Sequence, residues 1–285
     1  MAVLSVPTST GELVGRVVGS GPPMLLLHGG PGLEDYLAPL ADELASDWTV
    51  AHYTQRGTAP STLDGDVTVT GHVEDVLAVL DHLVWPRCVL AGHSWGGHLA
   101  MHVAVRHPER LVGLIALDAL GGVGDGGYAA FGAALMARVL PQHSSRLDEL
   151  EALEKAGGPL TPEQDAEALA LMWPAYFPDP ATAPPMPDLS VSPRMGESFE
   201  SMLSSVAEIE SRLAGCQVPA LFVHGEDSPM PVESSTETVA RLPYADVEVL
   251  TGAGHFLWID RPGVVQGLVN PWWSRVSANG RAPRG

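Results

Sequence analysis

Short runs of hydrophobic residues alternate along the first 120 residues with segments whose hydrophobic positions recur every three or four residues. The short runs have the length and composition of buried strands, and they read ELVGRVV, MLLLHG, TVAHYT, RCVLAG and LVGLIALD. Segments 33–46, 71–83 and 95–106 between them have the spacing of helices. This alternation predicts an α/β fold, with a mostly parallel sheet flanked by helices.

The alternation stops at about Gly121. The next stretch is glycine-rich (GGVGDGG), then acidic and helical, then proline-rich (WPAYFPDPATAPPMPDLSVSP), and it contains no convincing strand. Strands resume with PALFVHG and DVEVL, around a helix near 233–241, and a last helix is expected to end at about Trp273. We predict a core formed by 1–120 and 213–276, a helical cap inserted at 121–212, and a flexible tail at 277–285.

The length and charge of the chain narrow the classes of protein. A chain of 285 residues suits one large domain with an insertion. The formal net charge of −19 disfavours nucleic acids and anionic membranes as partners, because the summed field repels polyanions. The sequence does not predict the oligomeric state.

The N-terminal sequence and the cysteines predict a cytoplasmic protein. The N-terminus lacks the pattern of a signal peptide, and no apolar run approaches the length of a membrane span. Cys88 and Cys216 have neither metal-ligand nor CxxC spacing, so buried free thiols in a reducing compartment are expected.

The strongest chemical motif is VLAGHSWGGHLAMHVAV, in which an apolar strand meets Gly-His-Ser-Trp-Gly and then a helix. This is G-x-S-x-G in the strand–turn–helix context that a nucleophile elbow requires. Small residues on both sides allow a sharp turn that exposes the hydroxyl of Ser94. The alternative is an ordinary serine at a helix N-terminus.

A serine hydroxyl needs a base within hydrogen-bond reach to act as a nucleophile. His255 lies in LTGAGHFLWIDRP, after the last strand and before the final helix, on a loop whose glycines are expected to make it flexible. We therefore predict His255 as the general base, against the alternative of a polar loop histidine.

The motifs HGGPG (residues 28–32) and GHSWGG resemble the proline iminopeptidase group of the α/β-hydrolase superfamily. The resemblance covers 1–120 and 213–275, whereas 121–212 carries no recognised motif. It implies an oxyanion hole formed by the backbone amides of Gly30 and Trp95. It also implies a small acyl substrate and no metal or organic cofactor, with His28 as a structural hydrogen-bonding residue.

The third member of the triad departs from the pattern of that family. The acid usually follows the penultimate strand as G-x-x-D-P, but HGEDSPMP has Ser228 at that place and Asp227 one residue earlier. Asp118 ends LVGLIALD, where some relatives, haloalkane dehalogenases among them, carry their acid. The sequence leaves Asp118 and Asp227 nearly equal as the triad acid, with Asp118 slightly favoured; the remaining alternatives are Glu226 or no acid at all.

Further residues have both a functional and a structural interpretation. Aromatic residues of the insertion can line a pocket or bury the cap, namely Trp173, Tyr176 and Phe177. Acidic residues of the insertion can bind a substrate amine, although a solvated helix face is the favoured interpretation: Glu197, Glu200, Asp188 and Glu208. His98 and His102 have the spacing of a metal pair but are expected in the core.

Thr54 replaces the aspartate usual in the D-Q-R-G loop, where Gln55 and Arg56 are expected to be structural.

These features predict a serine hydrolase that cleaves a small carboxylic ester, lactone or amide through an acyl-enzyme. The irregular acid motif favours esters or lactones, because amine leaving groups demand more of the general acid. HGGPG favours the alternative, a proline iminopeptidase-type aminopeptidase. A non-catalytic ligand-binding homologue is the third hypothesis.

Overall fold

The computed structural model of the chain describes residues 2–62, 64–158 and 160–278. Its eight strands are β1 (Ala2–Thr8), β2 (Gly11–Gly19), β3 (Pro23–Leu27), β4 (Thr49–Tyr53), β5 (Cys88–His93), β6 (Leu111–Leu117), β7 (Ala220–Gly225) and β8 (Ala245–Leu250). They form one sheet in the order β1-β2-β4-β3-β5-β6-β7-β8. Pairing is antiparallel from β1 through β2 to β4 and parallel between all other neighbours.

Within the described residues, ten α-helices accompany the sheet. They are α1 (Ala38–Leu44), α2 (Val69–His82), α3 (Trp95–Arg106), α4 (Tyr128–Arg138), α5 (Pro141–Gly157), α6 (Pro162–Met172), α7 (Met195–Arg212), α8 (Val232–Val239), α9 (Leu257–Asp260) and α10 (Val264–Ala278). The predicted mostly parallel sheet with flanking helices is confirmed.

Both faces of the central strands are buried, which explains their nearly continuous hydrophobic runs. Successive residues of a strand point to opposite faces. Leu25 and Leu90 thus pack into one core cluster, whereas Leu26 and Val89 pack into the other. The cluster that contains Leu25 and Leu90 includes residues of α2 and α3. The cluster that contains Leu26 and Val89 includes residues of α1 and α10.

The insertion between β6 and β7 is helical in its described part, with α4 to α7 and two short 3₁₀ helices at Trp173–Tyr176 and Pro180–Thr182. Helix α7 is amphipathic, with Met202, Val206 and Ile209 on its buried face. The insertion meets the loop after β3 through an isolated bridge between Leu33 and Val191.

Local expectations differ from the structure at three places. The N-terminal strand β1 was not predicted. The helix expected at 33–46 begins only at Ala38, because the preceding residues form a loop that pairs with the insertion. Helix α10 continues through Ala278, so the predicted tail is helical at its first two residues. Its remainder, 279–285, lies outside the described residues.

Candidate active site

The predicted site residues lie in loops that follow neighbouring strands. Gly30 follows β3, Ser94 follows β5, Asp118 follows β6 and His255 follows β8. Because β3 and β5 to β8 run parallel, the carboxyl ends of these strands share one edge of the sheet. The topology therefore brings together residues that are far apart in sequence.

Ser94 stands in a tight turn between β5 and α3 with φ +54° and ψ −122°, a conformation that non-glycine residues rarely adopt. The flanking glycines allow this turn. A Cβ at Gly96 would lie 2.1 Å from the carbonyl oxygen of Leu27, and one at Gly92 would lie 2.2 Å from the backbone of Gly96. This geometry is that of a nucleophile elbow.

His255 lies in a packed loop. Its backbone N–H donates to the carbonyl of Tyr176 at 2.8 Å, and its ring stacks on the Tyr176 ring with centroids 5.2 Å apart. A Cβ at Gly254 would lie 2.5 Å from that same carbonyl oxygen. Gly254 therefore allows close packing; Ala253, Gly254 and His255 are buried, whereas Gly252 is exposed.

Asp118 is fully buried and receives hydrogen bonds from three groups. His255 Nδ1 and the Ser228 hydroxyl each lie 2.5 Å from Oδ2, and the backbone N–H of Gly225 donates to Oδ1 at 2.9 Å. Burial raises the pKa of Asp118, but His224 and the hydrogen bonds from His255 and Ser228 outweigh it, so the net pKa is lowered. The carboxylate is therefore held in its charged form.

The structure distinguishes Asp118 from Asp227, the two aspartates that the sequence left as alternative candidates for the triad acid. Asp118 contacts the imidazole of His255, with its own backbone at φ +43°. Asp227 is partly exposed, and its backbone N–H donates to the carbonyl of Ala253 at 2.9 Å. Glu226 is exposed. Ser228, which occupies the usual place of the acid, donates to Asp118 instead.

The glycine loop after β3 is shaped by its own backbone. Gly30 has φ +123° and Gly32 has φ +85°, which explains glycine at both positions. His28 Nδ1 lies 2.7 Å from the carbonyl oxygen of Gly29. Because a trans peptide directs its N–H opposite its C=O, the N–H of Gly30 points away from His28.

His28 is neutral, with its proton on Nδ1. Its Nε2 accepts from the backbone N–H of Gln55 at 2.9 Å, which requires an unprotonated nitrogen there. Burial lowers the pKa of His28. The Gln55 side chain also accepts from the indole N–H of Trp95 at 2.8 Å, so it links the glycine loop to the first residue of α3. Arg56 forms a buried bidentate pair with Asp75.

The amide of Trp95 begins α3. The first N–H groups of a helix have no partner within the helix, and they lie at the positive end of its dipole. Trp95 follows Ser94 directly, and Gly30 lies in the loop after the neighbouring strand β3. Two such amides are suited to binding a developing oxyanion.

A cavity of about 200 Å³ contains Ser94 and His255 in its lining. The insertion supplies most of its walls with apolar and aromatic side chains, among them Tyr128, Phe131, Leu169, Met172, Trp173, Tyr176 and Phe199. Asp165 on α6 also lines the cavity, and desolvation and the nearby Glu154 raise its pKa. Among the described lining residues there is no lysine or arginine.

The insertion residues predicted to bind substrate divide into two groups. Trp173 and Tyr176 line the cavity, whereas Phe177 is buried beside it and stacks on Phe256. Glu197 and Glu200 are exposed on α7 and are not among the cavity-lining residues. Glu197 pairs with Arg194, Glu208 pairs with Arg106, and Asp188 is exposed.

The cavity-lining residues that sequence reasoning missed include two with polar groups, Tyr36 and Asp165. Tyr36 follows the glycine loop, in a stretch that was expected to be helical. Asp165 lies in the first turn of α6, which a capping box between Thr161 and Gln164 begins. The capping box is readable in the sequence, but the direction of the helix relative to the cavity is not.

His98 and His102 are buried, as expected. Nδ1 of His98 lies 3.0 Å from the carbonyl of Gly121, and Nε2 of His102 lies 3.0 Å from the Ser205 hydroxyl.

Within the described ranges, no group of three or more His, Cys, Asp or Glu is placed to hold a metal ion. In the same ranges no helix combines the length and hydrophobicity needed to cross a membrane. Cys88 and Cys216 are free and buried.

The sheet order, the serine turn and the positions of the loops are those of an α/β-hydrolase. The model of the alpha/beta hydrolase family matches residues 24–266, and the chain belongs to this family. The predicted fold class is therefore confirmed.

Individual relatives are similar over shorter stretches. The chain is 36% identical over 98 residues to the probable aminopeptidase YbaC of Bacillus subtilis, covering 31% of each chain. It is 36% identical over 110 residues to a proline iminopeptidase of Lactobacillus helveticus, covering 35% of this chain and 37% of the relative. These matches span less than two-fifths of the length of either relative.

A solved structure is similar over nearly the whole chain. Est816, described as an N-acyl homoserine lactone degrading enzyme, superimposes with a TM-score of 0.65 at 24% sequence identity. The match covers 94% of this chain and 99% of that one. This likeness shows the fold, and the family as a whole supports hydrolytic activity.

Proposed function

We propose that the protein is a serine hydrolase that cleaves a small carboxylic ester, lactone or amide through an acyl-enzyme. The observation that carries the proposal is the 2.5 Å contact between His255 Nδ1 and Asp118 Oδ2, beside a cavity that Ser94 also lines. A buried carboxylate on Nδ1 leaves Nε2 of the imidazole to act as the base.

In the proposed reaction, Ser94 Oγ attacks the substrate carbonyl carbon while its proton passes to His255 Nε2. The tetrahedral oxyanion accepts hydrogen bonds from the amides of Gly30 and Trp95. The intermediate collapses, and the leaving alcohol or amine takes the proton from His255. Water then attacks the acyl-enzyme by the same route and releases the carboxylic acid.

Asp118 has two roles in this reaction. It accepts the Nδ1–H of His255 and so fixes the neutral tautomer, and its charge stabilises the imidazolium that forms during each proton transfer. Its lowered pKa keeps it charged as the pH falls below neutrality. Asp227 has no part in the proposed triad.

The cavity supports a neutral, apolar acyl group as the substrate. Its walls carry no lysine or arginine among the described lining residues, so nothing there pairs with a substrate carboxylate or phosphate. A volume of about 200 Å³ suits a small acyl group, since an apolar cavity of roughly 150 Å³ already accommodates benzene. Segment 121–212 serves as the cap over this cavity.

A proline iminopeptidase-type aminopeptidase is the second candidate, and Asp165 favours it. A lone carboxylate in an apolar cavity is suited to binding a substrate ammonium group. The similarity to the probable aminopeptidase YbaC and to a proline iminopeptidase is in line with this.

Purified protein tests the proposal with three probes. A fluorophosphonate should label the wild-type protein and fail to label Ser94→Ala. Nitrophenyl esters with acyl chains of two to about eight carbons should be hydrolysed faster than aminoacyl-naphthylamides. Naphthylamide turnover above ester turnover would favour the aminopeptidase, and an unlabelled wild-type protein would favour a non-catalytic binding protein.

A further inference from the structure

We propose that Tyr36 and His93 are positioning residues. Their hydrogen bonds fix the positions of the His255 backbone and of the glycine loop relative to Ser94. The proposal rests on the proposed function, because it assigns a task within the same site. It concerns two groups that take no part in the proton transfers described above.

The two side chains connect the glycine loop to His255 through three hydrogen bonds. The backbone N–H of Gly29 donates to the Tyr36 hydroxyl at 2.8 Å. That hydroxyl lies 2.6 Å from Nδ1 of His93, and Nε2 of His93 lies 2.8 Å from the carbonyl oxygen of His255.

The direction of each bond follows from its two ends. The Gly29 N–H can only donate, so the Tyr36 oxygen accepts there and its own proton goes to His93 Nδ1. The carbonyl of His255 can only accept, so Nε2 of His93 carries the ring proton. The two hydrogen-bond partners of His93 thus require the same tautomer, a neutral ring protonated on Nε2.

Burial of these groups agrees with that assignment. Desolvation, followed by the neighbouring His255, holds the pKa of His93 well below its ordinary value. Burial raises the pKa of Tyr36 well above its ordinary value, so the phenol keeps its proton. His93 is fully buried, with its ring centroid 4.5 Å from that of His255.

The hydrogen bonds of Tyr36 and His93 reach three parts of the proposed catalytic site. Gly29 precedes Gly30, the proposed oxyanion donor; His93 precedes Ser94; and the last bond ends on the backbone of His255 itself. A Cβ at Gly29 would lie 2.3 Å from the Tyr36 hydroxyl oxygen, so glycine at this position makes room for that hydroxyl.

The ring of Tyr36 is itself held in place. It lies nearly parallel to the Trp258 ring, at 10°, with centroids 6.4 Å apart, and it meets the Phe256 ring edge-on at 5.7 Å. Replacing the hydroxyl by hydrogen should therefore leave the ring in position and remove only the two hydrogen bonds that it makes.

Tyr36→Phe tests the proposal. A misplacement of about 1 Å can cost on the order of 100-fold in rate, so we expect phosphonylation by a fluorophosphonate and kcat for a nitrophenyl ester to fall about 10- to 100-fold. KM should change less than about threefold, because the lost hydroxyl is engaged within the protein. The control is Tyr53→Phe, another buried tyrosine, whose hydroxyl has no hydrogen-bond partner among the described residues; it should match the wild type.

A pair of His93 variants provides a second test if Tyr36→Phe folds poorly. Gln places an N–H near the position of Nε2 and keeps a donor for the His255 carbonyl, whereas the shorter Asn does not reach it. His93→Gln should be phosphonylated faster than His93→Asn, with both rates corrected for the folded fraction measured by circular dichroism.

The outcomes separate this proposal from the proposed function. A wild-type protein that resists the probe would overturn both. A labelled wild type overturns the positioning role alone if Tyr36→Phe reacts at the wild-type rate, if its loss equals its unfolded fraction, or if His93→Asn reacts as fast as His93→Gln.

Discussion

Ser228 and His255 donate to the same carboxylate oxygen: Oδ2 of Asp118 lies 2.5 Å from the Ser228 hydroxyl and 2.5 Å from His255 Nδ1. Ser228 occupies the position after β7 where the family usually has its acid. The carboxylate after β6 and the hydroxyl after β7 therefore meet, and it is the carboxylate after β6 that contacts the imidazole.

This relationship predicts which aspartate matters for turnover. Asp118→Asn should lower kcat by about three to four orders of magnitude, because the amide cannot hold the correct tautomer of His255 or stabilise its cation. Asp227→Asn is the matched control and should stay near the wild-type rate. Equal, mild losses of ester hydrolysis in the two variants would show that the acid is misassigned.

The same relationship predicts that the acid can be moved to the neighbouring loop. Ser228→Asp alone should lower turnover, because a second carboxylate beside Asp118 raises the pKa of one of them. The double variant Asp118→Asn with Ser228→Asp should recover part of the activity that Asp118→Asn loses. Steady-state kinetics on one nitrophenyl ester compare the three proteins, and a double variant no better than Asp118→Asn would contradict the prediction.

Gly29→Ala should damage both stability and activity. The new Cβ would lie 2.3 Å from the Tyr36 hydroxyl oxygen and 3.0 Å from the Cβ of Ser94. Overpacking of this kind costs about 1–3 kcal/mol of unfolding free energy. Gly132→Ala is the control, because its Cβ would meet nothing within 4 Å inside α4. Urea unfolding should show a loss for Gly29→Ala and a small gain for Gly132→Ala; similar values for both would contradict the packing argument.

Three buried histidines predict acid sensitivity. Burial lowers the pKa of His72 to about 3, of His98 to about 4 and of His102 to about 2. Below pH 6.5 the unfolded chain binds protons that the folded chain does not, so the free energy of unfolding falls as the pH falls. Each histidine should contribute about 1.4 kcal/mol of loss between pH 7.5 and 5.5.

His72→Phe checks this prediction. The substitution keeps a ring against Trp95, which the His72 ring meets edge-on at 5.7 Å, and removes one titrating group. Urea unfolding at several pH values should show a shallower dependence on pH for the variant. An unchanged dependence would mean that His72 is not among the groups responsible.

Asp165 predicts how the cavity selects substrates. Asp165→Leu should lower KM for nitrophenyl esters with longer acyl chains, because it removes a carboxylate that is costly to desolvate. It should also abolish any turnover of aminoacyl-naphthylamides. Glu200→Gln, on the exposed face of α7, is the control and should change neither activity. Naphthylamide turnover that survives in Asp165→Leu would remove the support for amine recognition.

Local sequence patterns were enough to predict the core of the fold. The hydrophobic runs of β3, β5, β6 and β7 reflect burial on both faces, and G-x-S-x-G specifies a turn that few sequences tolerate. Strand β1 was missed because its pairing with β2 decides its structure more than its own composition does.

The rest of the site depends on contacts between distant residues. Asp118 meets His255 across 137 positions, and its backbone at φ +43° has no local signature. The glycines of the His255 loop predicted flexibility, which stays a prediction; the carbonyl of Tyr176 that Gly254 packs against is not readable from the local sequence. The exposure of Glu197 and Glu200 agrees with the solvated helix face that the sequence favoured, whereas the choice of cavity-lining residues depends on how the insertion packs.

The proposed reacting groups and the walls of the cavity come from different stretches of chain. Ser94, Asp118 and His255 sit on loops of the sheet, while most of the enclosing side chains belong to one continuous segment between β6 and β7. If the proposed roles hold, substitutions confined to that single segment can alter which substrates fit the cavity without touching Ser94, Asp118 or His255.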